Sequence, residues 1–271
     1  MLVQVIRLPL QSDWGNQLVT ICFTYFKSLT LANLAASLYS IRRQNLTDVE
    51  SIVVVDNDTL DSIQDIQAVI DQQAFPIPVQ LFSFKHGDIL KKQSWSTNVT
   101  VRLAKTPWVF YTRADYLLAF DIVEKFIALV KERPTWNGFI TSNGIFLSNS
   151  VEDCEQTDWR QAGPIVLRGV EYDYTSIDSG VWMARRDAFE SVGGFVEDLS
   201  AWGHAQTLFQ WKMFKAGVEF LRIPEVLFWH PFHGAERDID QAHKDLAKLG
   251  GFDLHEMWAR YHGVSPYAGL R

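Results

Sequence analysis

An α/β fold with a mostly parallel central sheet, covered by helices on both faces, is what this sequence predicts. Three observations carry it. Short apolar, β-branched runs alternate with longer stretches of helical period. The run Ser51 to Val55 is apolar without alternation, as strands buried on both faces are. Clusters of turn-forming residues follow the strand-like runs, notably Asp56, Asn57 and Asp58.

Taken in order, Leu18 to Phe23 reads as the first strand, and Leu31, Leu34, Ala35, Leu38 and Ile41 place a helix after it. Ser51 to Val55 is the second strand, and Ile63, Ile66 and Ile70 mark its helix. Val79 to Phe84 is the third strand. Trp95, Val99 and Leu103 recur every fourth residue, Pro107 closes that helix, and Trp108 to Tyr111 enter a fourth strand. This βα alternation implies parallel pairing. A helix through Ile122, Val123, Phe126, Ile127 and Val130 follows, and Gly138 to Leu147 returns to the sheet. Ser148 to Asp178, acidic and rich in Gly, Thr and Tyr, reads as a long excursion over the sheet edge. Val181 to Ala184, a short helix around Phe189, the Gly193–Gly194 turn, a helix from Thr207 to Lys215 and a strand from Val218 to Ile223 complete the pattern. The expected organisation is one domain over residues 1–234, followed by a helical tail over 235–271.

Composition narrows the class. With 271 residues, 47% of them hydrophobic, the chain can bury a substantial core. A net charge of −7 argues against non-specific affinity for nucleic acid. Cys22 and Cys154 make no CxxC pair, so neither a zinc site nor a disulfide framework is expected, and a reducing cytoplasm fits. No apolar run reaches membrane-spanning length, and the first ten residues do not read as a signal peptide. Three glycosylation sequons, at Asn45, Asn57 and Asn98, are discounted as chance matches.

In an open parallel sheet, ligands bind beyond the carboxyl ends of the strands. The residues expected there are Thr24 and Tyr25, then Asp56 to Asp58, then Thr112 to Asp115. Neither GxGxxG nor GxxxxGK[ST] is present, which argues against a dinucleotide-binding or P-loop site. A carboxylate at a strand end can hold a divalent cation against a diphosphate, or accept hydrogen bonds from a base or ribose. Turn chemistry alone also accounts for each cluster.

Val53, Val54, Val55, Asp56 and Asn57, followed by Asp61, resemble the VVDNxSxD signature of glycosyltransferase family 2. Asn98 to Asp115 resembles the stretch that ends in that family's Asp-X-Asp motif. Ser179–Gly180, Arg185 to Phe189, Val192 to Phe195 and Ala201 to His204 resemble its acceptor region, continued by Phe214 to Gly217 and Pro224. The resemblance spans roughly Leu18 to Gly234. It implies a GT-A (nucleotide-diphospho-sugar transferase) fold, with a nucleotide-binding half over about 18–115 and an acceptor half over about 116–234.

The resemblance further implies transfer of a sugar from a nucleotide sugar, expected to be a UDP-sugar, to a hydroxyl on a glycan, lipid or small acceptor. Thr24, Tyr25, Asp56 and Asn98 would line the nucleotide pocket, with Asp56 on the base. Trp202, Gly203 and Gln206 would shape the acceptor side. Asp115 would bind Mn²⁺ or Mg²⁺, with His230 or His233 as a further ligand; a surface loop without ligands is the alternative for the two histidines.

Two departures bear on chemistry. Arg113 stands where the family has the first Asp of Asp-X-Asp, a permanent cation that either pairs with diphosphate and weakens metal use, or points to solvent. Ala205 and Gln206 replace the family's Glu-Asp pair, so the usual general base is absent. His204 is the nearest substitute, with Asp178 and Asp198 as others. A degenerate domain that binds nucleotide or glycan without catalysis is therefore the competing expectation. A nucleotidyltransferase is disfavoured because Thr24 to Ser28 contains no glycine.

Overall fold

The computed structural model describes residues 2–7, 17–85, 93–147, 150–151, 166–167, 170–171, 180–197 and 205–231. Among these, eleven strands and six helices occur in the order β1 (Leu2–Arg7), β2 (Val19–Phe26), α1 (Leu31–Arg42), β3 (Val49–Asn57), α2 (Ile63–Gln72), β4 (Val79–Lys85), α3 (Gln93–Leu103), β5 (Trp108–Arg113), β6 (Leu117–Leu118), α4 (Ile122–Glu132), β7 (Gly138–Phe146), β8 (Val166–Leu167), β9 (Val170–Glu171), β10 (Trp182–Arg185), α5 (Arg186–Ser191), α6 (Ala205–Lys215) and β11 (Glu219–His230).

Nine strands form one sheet in the order β1-β4-β3-β2-β5-β10-β7-β11-β6, and β8 pairs with β9 apart from it. Strands β2, β3, β4 and β5 are parallel, and β7 and β11 run the same way because β10 is antiparallel to both β5 and β7. The three reversed strands are β1, β6 and β10.

Alternation within the strands explains the layers. Ile21, Phe23, Tyr25, Ile52, Val54, Leu81 and Phe110 point to the face covered by α1, α2 and α4, which supply Leu34, Leu38, Ile41, Ile66, Ile70, Phe126 and Val130. Cys22, Val109, Tyr111, Phe139, Trp182 and Ala184 point to the other face, with Val101 of α3, Phe189 of α5 and Phe209 and Met213 of α6. Local caps fix the helix starts. The Thr30 hydroxyl accepts from Asn33 N while Asn33 Oδ1 accepts from Thr30 N, and Ser62 caps α2 by accepting from Asp65 N.

The structure extends or corrects several expectations. Strand β2 runs on to Phe26, so Thr24 and Tyr25 lie inside it rather than beyond it. Their side chains continue the alternation, and β2 is hydrogen-bonded on both sides, by β3 and β5. The last strand does not stop at Ile223 but continues to His230, passing Pro224 with register shifts on both sides of Val226. Proline has no N–H for the ladder, and the irregular register accommodates it. Residues 2–7 form an edge strand antiparallel to β4, which periodicity did not signal. Strand β10 is inserted antiparallel between β5 and β7, an order that the sequence pattern does not indicate. The helix expected from Thr207 begins two residues earlier, at Ala205. The excursion over 148–178 and the tail over 235–271 lie almost wholly outside the described residues.

No described helix is long and apolar enough to cross a membrane.

Candidate functional site

The carboxyl ends of β2, β3, β4, β5, β7 and β11 share one edge of the sheet, and two polar clusters form there. The first is built on β3. Asp56, fully buried, is its last residue but one, and its Oδ1 accepts from Thr59 N (3.1 Å) and Thr59 Oγ1 (2.7 Å). Its Oδ2 accepts from Ser83 Oγ (2.6 Å) and from Lys85 Nζ (3.0 Å), both on β4. Lys85 also donates to Thr59 O (2.7 Å) and Asp61 O (3.4 Å), and Tyr25 donates to the Asp61 carboxylate. The loop turns at Asp58, whose φ of 59° is one that Asp tolerates better than most residues. Burial and the Asp61 carboxylate together push the Tyr25 hydroxyl well above the usual phenol range, so it stays a donor.

Four donors use up the acceptor capacity of the Asp56 carboxylate. A base N–H can reach it only if one of them lets go. Lys85, 40% exposed, is the partner best able to do so.

The second cluster joins the turn after β5 to the end of β11. Ser37 of α1 donates to Ala114 O (2.8 Å), Ala114 N donates to Thr24 O (3.0 Å), and Tyr116 N closes a tight turn on Arg113 O (3.2 Å). That turn fixes Asp115, 3% exposed, against Arg113 and His230. Asp115 Oδ2 lies 2.9 Å from Arg113 Nη2 and 3.1 Å from His230 Nε2. The Arg113 guanidinium also donates to the Tyr116 hydroxyl and lies over that ring (4.4 Å to its centroid) and near Phe26 (5.8 Å). Tyr116 meets His230 edge-on at 5.2 Å. Burial alone would lower the pKa of Arg113, but the charges of Asp115 and the neighbouring tyrosines outweigh it and hold it above its ordinary value. Gly180 is required here, since a Cβ at that position would overlap the Tyr116 ring.

Arg113 is therefore not directed to solvent, one of the two placements its sequence position allowed; it is 7% exposed and paired within the chain. Asp115 and His230, the metal ligands implied by resemblance, are brought together. His233, the other candidate, lies outside the described residues, as do His204, Asp178, Asp198, Trp202 and Gly203. As arranged, Asp115 and His230 do not fit a resident divalent ion. An ion on Asp115 Oδ2 would stand close to a guanidinium that already occupies that oxygen, a repulsion of about 4 kcal/mol per unit of charge at 4 Å and effective dielectric 20. Among the described residues no group of three or more His, Cys, Asp or Glu could hold a metal.

The remaining sequence candidates are placed as follows. Thr24 Oγ1 bonds the Tyr111 hydroxyl (2.9 Å), which also bonds Thr97 Oγ1 (2.8 Å), and Thr24 is fully buried. Asn98 of α3 clamps the turn after α5: its Nδ2 donates to Phe195 O (2.9 Å) and Glu197 Oε1 (2.7 Å), and its Oδ1 accepts from Phe195 N (2.8 Å). Gln206 is the second residue of α6, its Nε2 buried and without a hydrogen-bond partner among the described residues. Sequence reasoning missed Lys85, Ser83 and Tyr116. The strand-end rule, applied to β4 as it was to β3 and β5, points to Lys85.

No family model matches the sequence, and no curated protein sequence matches it. Solved structures do share its fold. The crystal structure of Staphylococcus aureus TarS residues 1–349 superposes with a TM-score of 0.55 at 14% identity, over 79% of this chain and 60% of that one. The same TarS fragment in complex with UDP-GlcNAc gives 0.57 at 15%, over 89% and 69%. The mannosyltransferase PcManGT from Pyrobaculum calidifontis, in complex with GDP-Man and Mn²⁺, gives 0.56 at 15%, over 89% and 67%. The chain spans about three fifths of the first of these. The fold is that of the GT-A-type glycosyltransferases.

Proposed function

We propose that this GT-A chain is a glycosyltransferase, moving a sugar from a nucleotide sugar, with a UDP-sugar as the expected donor, to a hydroxyl on a glycan, lipid or small-molecule acceptor. The observation that supports it is the placement of the Asp56 loop and the Arg113–Asp115–His230 cluster at one carboxyl edge of the parallel strands, the edge where such sheets bind ligands. Nucleotide-sugar complexes of two proteins of the same fold, with UDP-GlcNAc and with GDP-Man, support the donor class.

In this reading the Asp56 loop receives the base, with Lys85 exchanging its bond to Asp56 for the ligand. Arg113 faces the diphosphate and stabilises charge that develops there as the glycosidic bond breaks. Any dependence on Mn²⁺ or Mg²⁺ is weak, because the guanidinium holds the carboxylate a metal would use. Trp202, Gly203 and Gln206 border the acceptor, and His204 or Asp178 takes the acceptor proton.

A thermal-shift screen of nucleoside diphosphates and nucleotide sugars tests the donor, since a ligand that binds only the folded chain raises its melting temperature. A uridine compound is expected to give the largest shift; a screen in which none shifts the protein overturns the reading. Asp56→Ala is expected to weaken donor binding by about 1–3 kcal/mol, the range for a lost buried hydrogen bond, and to lower the melting temperature because Ser83 and Thr59 lose their acceptor. Unchanged affinity in the folded variant removes Asp56 from the site.

A non-catalytic binding module is the second reading. It is favoured by Ala205 and Gln206, neither of which can accept a proton as a carboxylate would. Donor turnover separates the two.

A further inference from the structure

We infer that Arg113 is the resident cation of the diphosphate site, so that the chain binds a diphosphate without a divalent metal. This rests on the donor-binding reading above and names the group that meets the phosphates.

Arg113 lies at the carboxyl end of β5, 7% exposed, fixed by Asp115 and by the hydroxyl and ring of Tyr116. Its Nε–H is buried and makes no hydrogen bond. A buried donor on a permanent charge is costly to leave unmade, and a guanidinium offers a planar fork matched to phosphate oxygens. Asp115 engages a different nitrogen of the guanidinium, Nη2, through an Oδ2 that it shares with His230. Two further cations stand at neighbouring strand ends, Lys27 just past β2 and exposed, and Lys85 at the end of β4. Arg113, Lys85 and Lys27 thus flank the ends of β2, β3 and β5, where a diphosphate would lie. The guanidinium already holds the carboxylate oxygen that a metal would need.

The test titrates the full chain with Mn²⁺ alone, with inorganic pyrophosphate and with UDP and GDP, each nucleotide and pyrophosphate in chelator and again in Mn²⁺. Wild type is expected to show no stoichiometric Mn²⁺ site, and to bind pyrophosphate and one nucleotide with affinities unchanged within about twofold by chelator or metal. Arg113→Met is expected to weaken both by roughly 10- to 100-fold, the effect of losing hydrogen bonds to a charged group. Arg113→Lys keeps the charge without the fork, so it guards against misfolding and should fall between. Arg113→Asp is expected to lose binding in chelator and to gain both a Mn²⁺ site and a Mn²⁺-dependent rise in melting temperature.

Stoichiometric Mn²⁺ binding by wild type, or nucleotide binding abolished by chelator, overturns the inference. Pyrophosphate bound through Arg113 without any nucleotide keeps the inference and overturns the donor reading. Binding of neither overturns both.

Discussion

Trp182→Ala is expected to cost about 3–5 kcal/mol of stability, the range for truncating a large buried aromatic. Trp182 opens β10, 1% exposed, and its ring lies 5.0 Å from Tyr111 and 5.6 Å from Phe139, both near-parallel. Phe209 at 5.6 Å, Phe189 at 6.0 Å and Phe195 at 6.4 Å complete a shell drawn from β5, β7, α5, α6 and the turn after α5. No smaller ring fills a space lined from so many elements, so the cavity cannot collapse cheaply. The damage should also reach the site, because β10 lies between β5 and β7 and starts two residues after Gly180, against which Tyr116 packs. Trp182→Phe is the informative companion. It loses ring area but also removes an indole N–H that is buried without a hydrogen-bond partner, so its cost should stay near 1–2 kcal/mol. Chemical denaturation measures both; equal losses would show that the ring's size is not what the shell depends on.

How far the sequence carried follows from the range of each interaction. Strands β2 to β5 and helices α1 to α4 were legible because each announces itself within its own residues, through unbroken valines at 53–55 or isoleucines at 63, 66 and 70. The insertion of β10 between β5 and β7 was not, because strand order is set by packing between segments about 70 residues apart. The continuation of β11 to His230 was hidden by Pro224, which reads locally as a strand breaker. That continuation assembles the second cluster, since Asp115 and His230 are 115 residues apart and meet only because β11 runs past Pro224 to the carboxyl edge. Family resemblance picked out Arg113, Asp115 and His230 one at a time. It did not reveal that the first two are paired with each other. For Asp56 and Asn98 the residue types were legible as polar groups at special positions, whereas their bonds to Ser83, Lys85 and Phe195 depend on neighbouring strands and turns.

The largest functional effect is expected from restoring the missing carboxylates. Helix α6 begins at Ala205, so Ala205→Glu with Gln206→Asp places two carboxylates in its first turn, where the helix dipole stabilises their charged, proton-accepting form. Gln206 leaves a buried amide donor without a partner, so its replacement breaks no hydrogen bond made through that nitrogen. If proton removal from the acceptor limits the reaction, the double variant should raise donor turnover by roughly 10²–10⁴-fold, the usual contribution of a placed general base. Donor affinity should stay within about twofold, because a base acts on the transition state rather than on donor binding. His204→Ala supplies the other arm. If His204 already serves as base, wild type is active, this variant loses most activity, and the restored pair adds little to wild type. If wild type is inert and the double variant turns over donor, the chain is a transferase frame whose base has been lost. Wild-type turnover that survives His204→Ala unchanged would remove His204 and leave Asp178 or a base-independent route, and an inert double variant that still binds donor would establish the binding module.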